Sequence, residues 1–154
     1  MMKDQTVFLV TQRNVEKEEP ELEDLYGIGI IAVIKQVIKL QNNVVRVLVE
    51  GETRARLKEM EWAEAEPLQR EEEMLPAEIQ AAMIRGIQET FTRYCLMNPK
   101  HGKELARQMV EITDLEKLLD YIGNNLSVGF EEKQKILEAQ TIQERYETLM
   151  IILL

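Results

Sequence analysis

The side chains that most often carry out chemistry are scarce in this chain, which has one histidine, one cysteine and one serine. His101 falls in the predicted loop 98–103, with no other ligand-type residue at metal spacing, so we interpret it as an exposed loop histidine. Cys95 lies on the apolar stripe of a predicted helix and is expected to be a buried, inert thiol. Ser127 follows a turn and is predicted to help cap the next helix. These residues predict neither a metal site nor a nucleophile.

Phosphate binding and acid–base catalysis are not indicated either. The pair Gly102-Lys103 lacks the upstream glycine and the following Ser/Thr of a phosphate-binding loop. Carboxylates are abundant, but they fall in solvated runs such as Glu16–Glu19, whereas a catalytic acid needs an apolar pocket that raises its pKa. We therefore predict no catalytic residue and no cofactor, and we expect that this chain is not an enzyme by itself.

The charge balance excludes several classes of partner. Nineteen Lys/Arg face 28 Asp/Glu, for a net charge of −9, and the acidic excess lies in both halves of the chain. A chain without a basic patch is a poor ligand for nucleic acid or for an anionic membrane surface. The single cysteine, the lack of a secretory signal and the lack of a membrane-length apolar run favour the cytoplasm.

Up to about residue 70 the sequence is typical of strands and turns. An apolar run with β-branched residues, 6–11, predicts a buried strand, and the acidic stretch 16–24, which contains a proline, predicts a loop. Further strands are predicted at 27–40, 44–50, 54–60 and 62–68, with an asparagine turn at 41–43 and with Gly51 ending the strand before it. Residues 1–70 are thus predicted to form a bent antiparallel β lobe or partial barrel.

From about residue 74 the apolar period changes from two to about 3.6 residues, which indicates helices. The longest is predicted from Ile79 to Met97. Thr113 with Glu116 and Thr141 with Glu144 have the spacing of a capping box, and each predicts the start of a helix. Another helix is predicted from Phe130 to Ala139. Residues 74–154 are predicted to form an all-helical lobe, so the fold class is α+β with the strands first.

Several short segments are distinctive in their order and separation. In chain order they are Asp24–Gly29, Lys35-Gln36, Leu48–Leu57, Glu132–Glu138 and Glu144–Leu149. Together they resemble the N-terminal domain of the ATP-dependent Lon proteases, over nearly the whole chain. The third and fourth segments are fairly specific when both occur at this separation.

The resemblance implies a PUA-like β lobe, then a helical lobe that leads by a long helix to an ATPase ring. It implies a non-catalytic module that recognises unfolded, damaged or degron-bearing proteins and supports a hexamer. The parent chain would be an ATP-dependent Ser–Lys endopeptidase, whose ATPase motifs and protease dyad lie downstream of the part of the family that is matched here.

Both ends of the chain depart from the family. Lon proteases begin with a Pro-Leu-Arg-bearing strand and a helix before the segment that matches Lys3–Thr6. At the other end, Ile151–Leu154 is uninterrupted hydrophobe with no cap. We therefore expect a piece of a longer protein, truncated at both ends, whose β lobe is incomplete. An unpaired sheet edge would invite dimerisation of the piece.

A protein that holds unfolded chains needs exposed apolar surface or an accessible strand edge. Ile38 and Leu40, which run apolar into the predicted hairpin turn, are the first candidate contacts. Met60 and Trp62, near the end of the β lobe, are the second. The alternative is that all four residues are interior residues of the sheet or of the interface between the lobes.

Arg54 and Arg56 are two residues apart on a predicted strand and would share one face. They could clamp a degron carboxylate, but a solvated ladder with Glu50, Glu52 or other acidic neighbours is the favoured interpretation.

Two other functions are compatible with the predicted fold. A PUA-like RNA-binding module would need a basic patch with stacking aromatics, and this chain is acidic with 5% aromatic residues. A free-standing adaptor for protein interactions is the third alternative, and the bare hydrophobic terminus speaks against it.

Overall fold

The computed structural model describes residues 5–42, 44–59, 64–68, 75–97 and 102–154. The chain divides into two compact units, Met1–Gln69 and Arg70–Leu154. The first is β-rich and the second is helical, so the α+β fold class predicted from the sequence is confirmed.

In its described residues, the β unit is a four-stranded antiparallel sheet in the order β1-β2-β3-β4, so each strand pairs with its neighbour in sequence. The strands are β1 (Thr6–Leu9), β2 (Ile28–Lys39), β3 (Val45–Glu59) and β4 (Glu64–Pro67), and a short 3₁₀ helix, Leu22–Asp24, lies between the first two. The buried apolar residues among those described in this unit are Ile28, Ala32, Val33 and Ala55. This core is small, and it lies where β1 and β4 flank the central pair of strands.

β3 is longer than predicted, because Gly51 does not end it. The strand continues through Gly51 to Glu59, and the register of the β2–β3 ladder shifts where Ile31 pairs with Thr53 but Ala32 pairs with Gly51. Glu52 is therefore an extra residue on β3. A β-bulge absorbs it and bends the strand without interrupting it. The expectation of two separate strands was wrong for this reason.

The helical unit has five helices in its described residues. They are α1 (Ala77–Leu96), α2 (Gly102–Val110), α3 (Leu115–Asn125), α4 (Phe130–Glu138) and α5 (Ile142–Leu153). One core of side chains contributed by all five holds them together, and its fully buried members include Ile87, Phe91, Met109, Leu118, Leu119, Ile122 and Leu149. Burial of each side chain of this size stabilises the folded unit by about 1.5–3 kcal/mol relative to leaving it exposed.

Of the three capping predictions, one is confirmed, one gives the start of its helix correctly but the wrong capping residue, and one is wrong. Thr141 accepts a hydrogen bond from the backbone N–H of Glu144, whose carboxylate in turn accepts from the N–H of Thr141, a complete capping box. Asp114 caps α3 in place of Thr113, because an aspartate one residue closer to the helix accepts from the N–H of Lys117.

Ser127 does not cap α4. The N-cap of that helix is Gly129, and the backbone N–H of Ser127 instead donates to the Tyr94 hydroxyl at 2.9 Å. Ser127 therefore marks a tertiary contact with α1, a role that its distance in sequence from Tyr94 concealed.

Candidate functional site

The far ends of β2 and β3 form a two-stranded ribbon. β1 pairs with β2 only at 30–33, and β4 pairs with β3 only at 55–59. From Lys35 to Glu50 the two central strands pair with each other and, among the residues that the structure describes, with no third strand. We call residues 35–50 the distal hairpin.

The distal hairpin is apolar on both faces. Opposite residues of an antiparallel pair share a face, and successive residues alternate between faces. Because Val37 lies opposite Val47, one face carries Val37, Val45, Val47 and Val49, and we call it the valine face. The other face, which we call the leucine face, carries Ile38, Leu40, Val44 and Leu48.

All eight of these apolar side chains are exposed, with between 36% and 58% of their surface accessible. The same strands are buried closer to β1, where Ala32 is 0% and Val33 6% exposed. A half-buried strand normally keeps its apolar residues on one covered face, and contiguous exposed apolar surface marks an interaction site. The distal hairpin is therefore the leading candidate for a functional surface.

The tip of the distal hairpin follows the predicted turn. The backbone N–H of Leu40 donates to the carbonyl of Val44 and closes the loop. Asn42 has a φ of 64°, in the left-handed region that asparagine tolerates better than other residues with a side chain. The prediction that an asparagine with positive φ makes this turn is confirmed.

A second bulge and an ion pair lie at the base of the distal hairpin. Ile34 pairs with Val49 and Gln36 with Leu48, which leaves Lys35 as an extra residue on β2. Lys35 Nζ lies 2.7 Å from Glu50 Oε2. The hydrogen bond from Lys35 lowers the pKa of the Glu50 carboxyl group. With the bulge at Glu52, this arrangement re-aims the hairpin relative to the covered part of the sheet.

The four residues singled out from the sequence have different outcomes. Ile38 and Leu40 are in the distal hairpin and exposed, at 40% and 43%. Met60 and Trp62 lie outside the described residues. The valines of the hairpin and Leu48 were missed, although the sequence carries a signal for them. In residues 44–49, both the odd and the even positions are apolar except for Arg46, so apolar side chains point to both faces of the strand. Covering one face cannot bury all of them.

Glu50, one of the acidic neighbours expected for the arginine pair on β3, is ion-paired with Lys35. Arg56 lies opposite Glu66 on β4, and Lys58 bonds to the same Glu66 at 2.6 Å. The charge ladder is thus contributed in part by lysines.

The described residues show no metal-binding arrangement, and the one cysteine is not set up as a nucleophile. They contain no group of three or more His, Cys, Asp or Glu placed to hold a metal ion. Cys95 is buried in α1, and burial raises the pKa of its thiol, which disfavours the reactive thiolate. His101 lies outside the described residues. Over the same ranges, no helix combines the length and the apolar character that crossing a bilayer requires.

A shallow groove on the helical unit is a weaker candidate. It has a volume of about 530 Å³ and is lined by Val128, Glu132, Lys135, Thr148, Ile151 and Ile152. Its apolar contribution comes from three side chains, fewer than the eight of the distal hairpin.

Comparison with known proteins gives one consistent result. The family model described as the ATP-dependent protease La (LON) substrate-binding domain matches residues 1–154. The Lon protease of Lachnoclostridium phytofermentans is 38% identical over 160 residues, an alignment that covers 99% of this chain and 20% of that protein. Lon protease 1 of Hydrogenovibrio crunogenus is 36% identical, with 97% of this chain and 19% of that protein covered.

The chain spans about a fifth of the length of these curated relatives. The solved N-terminal domain of the Mycobacterium avium complex Lon protease has a TM-score of 0.67 to this chain, at 20% identity, covering 97% of this chain and 90% of that one. That structure supports the fold. The match to a substrate-binding domain accounts for all 154 residues, so these residues include neither an ATPase nor a protease domain.

Proposed function

Because this chain belongs to the family of ATP-dependent protease La (LON) substrate-binding domains, we propose that its distal hairpin is the surface that binds the protein substrate. The bound segments are apolar stretches of unfolded, damaged or degron-bearing proteins. The observation that carries the proposal is the exposure of eight apolar side chains on the two faces of one hairpin.

Apolar contact suits a binder whose targets share no sequence. Each buried Å² of apolar surface contributes about 25 cal/mol, whatever residue covers it. Folded proteins keep their large apolar segments inside, so a surface of this kind selects unfolded chains without reading a motif.

The wider setting follows from the family. We propose that the chain works as part of a cytoplasmic ATP-dependent Ser–Lys protease, in which it supports assembly of a hexamer and delivers substrates to the ATPase and protease domains. The isolated chain would retain substrate binding and have neither ATPase nor peptidase activity.

The experiment compares binding of a permanently unfolded protein and of its folded counterpart to the purified chain. Binding to the unfolded form alone is expected. The double variant Val47→Asp with Leu48→Asp places a carboxylate on each face of the hairpin. It should weaken binding at least about tenfold, since about 1 kcal/mol or more of apolar contact is lost on each face.

Val15→Asp is the matched control, because Val15 is an exposed apolar residue of the β unit outside the distal hairpin. This variant should bind the unfolded protein as tightly as the unsubstituted chain does. Equal binding of the folded and unfolded forms, a preference for RNA, or equal losses in the control and the double variant would refute the proposal.

A further inference from the structure

We infer that substrate segments bind by adding a strand along the outer edge of β3, at Val45–Val49, and that the preferred segments combine apolar residues with carboxylates. This inference rests on the proposed substrate-binding function and specifies its geometry and its substrate class.

The backbone of β3 defines the edge. Because the N–H of Leu40 donates to the carbonyl of Val44, the backbone groups of Val44 point toward β2. In an antiparallel ladder, the N–H and C=O groups of successive residues point alternately toward the partner strand and away from it. Those of Val45, Val47 and Val49 point away from β2. The ladder agrees at its other end, where Ile34, the partner of Val49, donates its N–H outward to Gln5 on the β1 side.

This edge has no strand beside it among the described residues, since β4 pairs with β3 only from Ala55 onward. An exposed edge is a template for an extended chain, because its N–H and C=O groups are unpaired with protein. Such hydrogen bonds require a segment whose own backbone groups are free, a condition that unfolded chains meet and folded ones rarely do. Strand addition therefore explains selectivity for unfolded chains through the backbone as well as through side chains.

Both faces of the hairpin would contribute to the added strand. Alternate side chains of the segment would lie beside the valine face and beside the leucine face. Because both faces are apolar, a segment gains contact on each side and does not need one strict alternation pattern. Such an edge would therefore accept segments of many different sequences, as a protein that binds unfolded chains must.

The charged residues of the distal hairpin determine which polar residues are preferred in a bound segment. Lys39 lies on the valine face, opposite Val45, and Arg46 lies on the leucine face, opposite Ile38. Neither is ion-paired with a described residue, whereas Lys35 bonds to Glu50. Three cations and one carboxylate leave an excess of two positive charges on residues 35–50, in a chain whose net charge is −9.

Salt screens exposed charges over about 8 Å, so the local cations act more strongly than the acidic remainder on a segment at this edge. A carboxylate on the leucine face of the segment would lie beside Arg46 of β3, whereas one on the valine face would lie one strand further from Lys39, which is on β2. A second copy of the chain would instead bring its own Lys39 and Arg46 toward the same cations, so charge favours an acidic and apolar segment over self-pairing.

The first test uses one host peptide with fixed apolar positions, in versions that carry Glu, Gln or Lys at the remaining positions. Fluorescence anisotropy should give affinities in the order Glu, Gln, Lys, with about threefold to tenfold between the extremes, because exposed ion pairs contribute weakly to binding. Arg46→Glu should reduce or invert this order. Arg85→Glu, an equal charge change on the exposed surface of α1, should leave it intact.

The second test removes the backbone donor. Val47→Pro deletes an N–H that faces outward and spares the ladder with β2, as proline on a sheet edge allows. It should weaken peptide binding at least tenfold, while Val47→Ala, which keeps the N–H and loses apolar area, should weaken it no more than about threefold. A further comparison uses the unsubstituted chain and two peptides methylated at alternate backbone N–H groups, each at the positions that the other leaves free. At least one of the two should bind at least tenfold more weakly than the unmethylated peptide.

The outcomes separate the two proposals. If the hairpin double variant weakens binding but neither Val47→Pro nor N-methylation does, strand addition is wrong and apolar binding stands. If no peptide and no unfolded protein binds, both fail. A concentration-dependent dimer that Val47→Pro abolishes would show that a second copy occupies the edge and would overturn the inference.

Discussion

Arg145 Nη1 lies 3.1 Å from Asp120 Oδ1 and ties α5 to α3. The arginine side chain is 7% exposed and the aspartate side chain 54% exposed, so one charge of the pair is buried and the other is hydrated. Glu116 lies 3.7 Å from the same nitrogen. Arg145 Nε has no hydrogen-bond partner among the described residues. The guanidinium group therefore depends on carboxylates from α3.

The two ends of this pair should respond differently to substitution. Asp120→Ala leaves a buried cation with fewer partners and should lower the free energy of unfolding by about 1–3 kcal/mol. Arg145→Met removes the buried charge and the unpartnered Nε, keeps most of the volume, and leaves carboxylates that water can solvate. It should cost less than Asp120→Ala in urea unfolding. If Arg145→Met were the more destabilising of the two, burial of the arginine charge would not be the dominant energetic cost of this ion pair.

Gly29 on β2 is a position where no side chain fits. A Cβ there would overlap the Leu9 carbonyl oxygen and lie 2.7 Å from the Phe8 ring, since β1 packs directly against this residue. Gly29→Ala should destabilise the β unit by about 1–3 kcal/mol through overpacking.

Gly27→Ala is the control, because a Cβ at Gly27 meets nothing within 4 Å and no glycine has positive φ in the described residues. Thermal unfolding followed by near-ultraviolet circular dichroism would compare the two variants. Similar melting temperatures would contradict the close packing of β1 on β2.

Cys95 should react slowly in the folded chain. Burial both raises the pKa of its thiol and blocks the approach of reagents. Alkylation by iodoacetamide near neutral pH should be on the order of a hundredfold slower than in urea, because reaction must await opening of the helical core. Mass spectrometry of timed samples measures this rate. Equal rates with and without urea would mean that α1 does not cover the thiol.

Asp24 should contribute to the pH dependence of the β unit. A hydrogen bond from Lys17, and another from the backbone N–H of Glu21, lower the pKa of its carboxyl group. The stabilisation is therefore present above the ordinary aspartate pKa of about 4, and it is lost as the pH falls through the lower pKa of the folded state.

Lys17→Met should move the pKa of Asp24 upward, toward its ordinary value, in an NMR titration. Lys39→Met, which also removes a lysine from the β unit but has no ion pair with a described residue, should leave the titration of Asp24 unchanged. An unchanged Asp24 pKa in the Lys17 variant would show that the backbone hydrogen bond alone is responsible.

Local patterns in the sequence predicted much of the fold, because they act over a few residues. The change of apolar period near residue 74 separates strands from helices, the Thr141–Glu144 box starts α5, and asparagine makes the hairpin turn. Each of these depends on hydrogen bonds or side-chain spacing within one turn of the chain. The distinctive segments likewise identified the family that the comparisons show.

What the sequence could not decide were relationships between distant residues. Whether Gly51 ends a strand depends on β2, which accommodates the extra Glu52 as a bulge. Ser127 bonds to Tyr94, 33 positions away, and leaves the cap of α4 to Gly129.

The candidate site shows the same division. Composition and alternation determined that the strands around the turn are rich in apolar residues. Only the tertiary structure decided that β1 and β4 stop short of them, so that the apolar side chains of the distal hairpin stay exposed on both faces. Burial depends on which neighbours arrive, and that is a property of the whole sheet and not of either strand.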